Sequence, residues 1–100
     1  MRAMPIMVGL LLAPLAVQAA PVSEATLQAN YQQCVQECVP GDDQARCEQL
    51  CGCVTDKMAS AWDESEFRTR TEVLEANPED PEVLAEMRRF TDQCWAEIGQ

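Results

Sequence analysis

The chain has 100 residues, with seven basic and seventeen acidic side chains, six cysteines and no histidine. A formal charge of −10 disfavours nucleic acid and anionic membrane surfaces as partners. The missing histidine removes Ser-His-Asp and Cys-His catalysis and the histidine-based zinc-protease motif.

Residues 1–19 read as a secretory signal peptide. Arg2 supplies a minimal basic start, and Ile6 to Val17 is an apolar run interrupted only by Gly9 and Pro14. Val17-Gln18-Ala19 then offers the −3 and −1 positions of a cleavage site. A retained membrane anchor needs ~20 apolar residues, and this run is shorter and contains a proline, so no membrane association is expected after cleavage. Residues 20–100 are expected to form a single small helical, disulfide-rich domain. Cys34, Cys38, Cys47, Cys51, Cys53 and Cys94 all lie in it. An even count in an exported chain predicts three disulfides and a periplasmic or secreted location. A domain of this size buries only ~60% of its unfolded surface and profits from covalent staples.

Ser23 is the expected N-cap of a first helix, with Val22 and Leu27 at the two positions of a hydrophobic staple. Leu27, Tyr31, Cys34 and Cys38 then recur on one helical face. Val39-Pro40-Gly41 predicts an end near Cys38. Asp42 or Asp43 caps a second helix, whose predicted buried stripe is Cys47, Leu50, Cys51, Val54, Met58 and Ala61. Gly52 weakens that helix without stopping it.

Asp63 with Glu66 has the form of a capping box, and Trp62 with Phe67 the spacing of a second staple. The third helix is expected to turn Phe67, Thr71 and Leu74 inward and to carry Glu64–Arg68 and Glu66–Arg70 pairs outside. Asp80 and Pro81 open a fourth helix with Leu84, Met87, Thr91, Cys94 or Trp95, and Ile98 on its stripe, closing at Gly99. No stretch shows β-alternation. The expected fold is all-α: a small disulfide-stapled four-helix domain beginning with an antiparallel helical hairpin.

Cysteines four apart stack on one helix face, about 6 Å apart along the axis. In an antiparallel hairpin this sets Cys34 opposite Cys51 and Cys38 opposite Cys47. Cys53 lies about 200° round the helix from Cys51, aimed away from the first helix, and pairs with Cys94. The twin Cys-x3-Cys pattern, Cys34-x3-Cys38 and Cys47-x3-Cys51, resembles that of the α-hairpinin peptides and the small mitochondrial translocase chaperones. Both are disulfide-stapled helical hairpins, so the resemblance implies the same two pairings. It covers residues 34–51.

Three functional readings follow. The leading one is a non-enzymatic periplasmic or secreted interaction module: an adaptor, inhibitor or chaperone-like protein. Phe90, off the main stripe of the fourth helix, is expected to be exposed as part of a contact surface. Glu72, Glu75, Glu79, Asp80, Glu82 and Glu86 would face a basic protein partner. The second reading is a thiol–disulfide redox protein acting through Cys51-Gly52-Cys53, because a Cys-x-Cys pair can cycle between dithiol and strained disulfide. Arg46 and Lys57 are the only cations of that helix available to lower a thiol pKa. The third is metal binding by cysteine and methionine sulfur. No catalytic residue, resident metal or cofactor is assigned.

Overall fold

A computed structural model describes residues 20–99. The expected signal peptide, residues 1–19, and Gln100 lie outside them. Four helices follow in order: α1 Glu24–Cys38, α2 Gln44–Ala61, α3 Glu64–Ala76 and α4 Pro81–Ile98. A single 3-10 turn, Val39–Gly41, reverses the chain between α1 and α2. There is no strand among the described residues. One isolated antiparallel bridge joins Pro21 to Asp63.

Each helix starts where a short polar side chain takes up an orphan amide of the first turn. Ser23 Oγ accepts from Thr26 N at 3.2 Å, Asp43 Oδ1 from Arg46 N at 2.8 Å, and Asp80 Oδ2 from Val83 N at 3.0 Å. At α3 the capping box is reciprocal: Asp63 Oδ1 accepts from Glu66 N at 2.8 Å, and Glu66 Oε1 from Asp63 N at 3.0 Å. Caps of this kind contribute ~1 kcal/mol each. They matter here because helices of this length are marginal in isolation. Gly99 ends α4 in the left-handed conformation, φ 85°, which glycine adopts without steric penalty.

Three disulfides join these helices. Cys34–Cys51 and Cys38–Cys47 bind α1 to α2, with Cα–Cα separations of 5.8 and 5.7 Å. Cys53–Cys94 binds α2 to α4 at 5.8 Å. All six cysteines are thereby paired, in the pattern their helical spacing predicts. Asn30 adds a polar link within the hairpin, donating to the buried Thr55 Oγ1 at 3.2 Å.

The core runs along α2 and where α4 crosses it. Val54, Met58, Trp62 and Cys94 are buried together, with Leu50, Cys53, Phe67, Met87 and Phe90 packed around them. Val22, just before α1, and Val83, in the first turn of α4, are also buried. The N-terminal strip is tied to the α2–α3 junction: Glu64 N donates to Ala20 O at 2.8 Å, and Ser23 N to Glu64 Oε1 at 3.0 Å.

Four local expectations are corrected. Ala61 is exposed, because α2 ends there and the inward position passes to Trp62. Thr71 is exposed, its hydroxyl donating back to Phe67 O at 3.0 Å, a usual outlet for threonine in a helix. Arg70 does not pair with the Glu66 carboxylate, which is held by the capping box. It donates instead to Glu86 Oε1 at 2.7 Å and Oε2 at 3.2 Å. The inward line of α4 runs through Val83, Met87, Phe90 and Cys94: Met87 and Cys94 stand inward as expected, while Val83 and Phe90 take the places expected of Leu84 and Thr91. Phe90 is accordingly half-buried rather than exposed.

Candidate interaction surface

Two hollows of similar size border α2 among the described residues. The larger is a groove of about 580 Å³ between α1 and α3. Asn30, Gln33, Cys34, Glu37 and Cys38 form its α1 wall, recurring once per turn because they share one helical face. Val54 and Met58 from α2 and Met87 from α4 form the floor, and Thr71, Leu74 and Glu75 the α3 wall. The hairpin disulfides position the first wall by locking α1 to α2. The second wall has no covalent tie.

What holds α3 is a cluster at its N-terminal half. Trp62 packs edge-on against Phe67, ring centroids 6.1 Å apart, and against Phe90 at 5.5 Å. The Arg70 guanidinium lies 4.5 Å from the centre of the Trp62 ring and makes its two-pronged bond to Glu86. That bond holds the Glu86 carboxyl below the usual carboxylate range and raises Arg70. Planar guanidinium, carboxylate and indole thus fit together as only arginine permits.

The other hollow, about 560 Å³, lies between α2 and α4 and is lined by Cys53, Asp56, Lys57, Phe90, Gln93 and Glu97 among others. Lys57 Nζ donates to Glu97 Oε2 at 2.7 Å. Glu97 Oε1 lies 3.6 Å from Cys53 Sγ, a contact only, since a disulfide sulfur has no proton to donate. Cys94, on the other side of that bridge, is fully buried.

The residues singled out in the sequence are dispersed by this geometry. Cys51 and Cys53, read together as a redox pair, belong to different bridges, Cys51 to α1 and Cys53 to α4. Phe90 is divided between the Trp62 stack and the α2–α4 hollow. Of the six acidic candidates, Glu75 lines the groove, Asp80 caps α4 and Glu86 holds Arg70, while Glu72, Glu79 and Glu82 are exposed. Glu37, Met58, Leu74 and Met87, which complete the groove, were not singled out as surface residues. Their apolar members were expected in the core, and only packing of α3 against α4 shows that this core is open on one side.

Among the described residues no helix is long and apolar enough to cross a membrane, and no group of three or more Cys, Asp or Glu is arranged to hold a metal ion. Three disulfides are consistent with an oxidising compartment. The hairpin with its two bridges is compatible with a twin Cys-x3-Cys pattern. No protein-family model, curated protein or solved structure matches the chain.

Proposed function

We propose that this protein is exported to the periplasm or secreted after removal of residues 1–19, and acts there as a non-enzymatic interaction module that docks a partner in the groove between α1 and α3. The groove carries this reading: a trough in which half-buried Leu74 and Met87 lie over the buried Val54 and Met58, set in a frame that disulfides hold. Methionine suits such a trough because its unbranched, polarisable side chain adapts to what covers it. The alternative, exchange chemistry through Cys51 and Cys53, draws its support from their closeness in sequence, and metal binding from the number of sulfur atoms.

Photo-crosslinking in cells tests the docking role. With p-benzoylphenylalanine in place of Leu74, a covalent adduct of defined mass is expected, absent when the probe replaces Asp92 on the exposed surface of α4. Identical adducts at both positions, or none at either, would overturn the role. Mass spectrometry of the exported chain should find Ala20 at its N-terminus.

A further inference from the structure

We infer that the occupant of this groove is an amphipathic α-helical segment of another protein, carrying lysine or arginine beside its apolar stripe. The inference rests on the docking role proposed above and names the chemistry of the partner.

The shape of the groove selects a helix. The α1 wall runs from Asn30 to Cys38, which at 1.5 Å per residue is about 12 Å, or a little over two turns. Its volume, about 580 Å³, lies within the roughly 300–1,000 Å³ usual for ligand sites and takes a few side chains rather than a whole chain. Both walls and the floor are helical, so their amides and carbonyls are already bonded within their own helices. There is no strand edge among the described residues to which an extended segment could add. Recognition therefore falls to side chains, as when a helix lays apolar residues at i, i+3 or i+4 into a groove.

Charge selects the sign of the partner. The charged residues lining the groove are Glu37 and Glu75, one on each wall, and neither Lys nor Arg lines it. Gln33 Nε2 donates to Glu37 Oε2 at 3.2 Å and steadies that carboxylate on the rim. A second copy of this chain would bring a formal charge of about −10 against its like, a repulsion that physiological salt screens only beyond ~8 Å. A cationic helix meets opposite charge on both sides while covering Leu74 and Met87, which are half-buried in the free protein. Val54 and Met58 are already buried, so the apolar area gained is small and the association should be reversible and salt-sensitive.

The test uses the exported, processed protein and two fluorescent 18-residue helical peptides sharing one leucine stripe, one with lysine and one with glutamate on the polar face. The lysine peptide should bind and the glutamate peptide should not. Glu37→Lys with Glu75→Lys should weaken binding at least tenfold. Glu48→Lys with Asp92→Lys, the same change in net charge outside the groove, should weaken it less than threefold. Leu74→Ser, which leaves the charges intact, should also weaken it several-fold, and amide NMR shifts on titration should centre on Gln33–Cys38 and Thr71–Glu75. Equal loss in the two charge-reversed proteins means diffuse attraction and overturns the inference, as does binding of the glutamate peptide. An adduct at position 74 whose formation is not suppressed by the lysine peptide added before irradiation overturns the cationic-helix assignment alone. Absence of the adduct overturns the docking role with it.

Discussion

The two walls of the groove are held by different physics. α1 is bonded to α2 by two disulfides, and α2 to α4 by a third, so three of the four helices form one covalent frame. α3 carries no cysteine and is held by an aromatic corner, one arginine–carboxylate bond and the tie of its first turn to the N-terminal strip. A covalent frame resists acid and salt but not reductant. The ion pair and hydrogen bonds that hold α3 are open to acid and salt. A docking surface built from both has one fixed wall and one that solution conditions can loosen, and the difference can be tested wall by wall.

Reduction should have the largest effect. Closing a loop with the sequence separation of Cys53–Cys94, 41, is worth about 4 kcal/mol in the chain-entropy account, and Cys34–Cys51, at 17, about 3, with the nested Cys38–Cys47 adding less. Those sums rival the whole net stability of a small domain. Full reduction should therefore abolish the cooperative thermal transition followed by circular dichroism. A reduced protein that melted at the same temperature would show the frame to be dispensable and would dissolve the contrast between the walls.

Next in size is Trp62→Ala. The indole is buried where α2, α3 and α4 meet and touches Phe67, Phe90 and the Arg70 guanidinium. Removing a buried aromatic of this kind costs ~3–5 kcal/mol. With the disulfides intact, the loss should concentrate in α3. Native-state hydrogen exchange should show α3 amides losing protection while the α1–α2 hairpin keeps its own. Uniform loss along the chain would mean that α3 and the frame form one cooperative unit.

That division was only partly legible in the sequence. The frame was: cysteines at i and i+4 can face a partner helix in one way only, and Cys53, two residues past Cys51, is turned to another neighbour by the pitch of the helix. The caps were too, because Ser23, Asp43, Asp63 and Asp80 act on amides two or three residues away. The groove was not. Whether Met58, Leu74 and Met87 face a closed core or an open trough depends on the distance between α1 and α3, which no local pattern encodes. Arg70 illustrates the same limit. Its i−4 neighbour Glu66 was the nearer partner by sequence, yet the capping box had already engaged that carboxylate, and Glu86 lay within reach across α4. On α4, Met87 and Cys94 were legible as inward residues, but the turning of Phe90 rather than Thr91 toward the core depends on Trp62, a partner on another element.

The arginine–carboxylate bond can be tested by substitution and by pH. Glu86→Gln removes the charge and keeps the shape. Both side chains are about a quarter exposed, so the expected cost is on the order of 1 kcal/mol. Folding holds Glu86 below its ordinary value near 4.5, through the bonds from Arg70 first. A lowered carboxyl pKa contributes stability that is complete above the unfolded value and is lost as pH falls through the folded one. Arg70, already fully charged and raised further, adds no pH dependence in that range. Acidification below about 4.5 should thus speed exchange in α3 in the natural protein, and do so less in Glu86→Gln. Asp42, whose carboxyl is also lowered, by the Asp43 amide and Arg46, reports the same acid limb at the hairpin turn, where the two proteins should behave alike.

The smallest effect should come from Gly52→Ala, and it should appear in the frame alone. Gly52 sits inside α2 between Cys51 and Cys53, where glycine costs about 1 kcal/mol relative to alanine through lost backbone freedom. A methyl group there would meet nothing nearer than Tyr31 Cε1 at 4.0 Å, an ordinary van der Waals separation, so α1 has no need to move. The substitution should raise stability by up to ~1 kcal/mol, a shift of about 4–8 °C in Tm for a domain of this size. Exchange from α3 by local opening should stay as it was. A fall in Tm would mean that the Cys34–Cys51 bridge holds α1 against α2 too tightly to admit one methyl group. A gain that spread to α3 would mean that the two walls are coupled through α4 more strongly than the Trp62 corner alone provides.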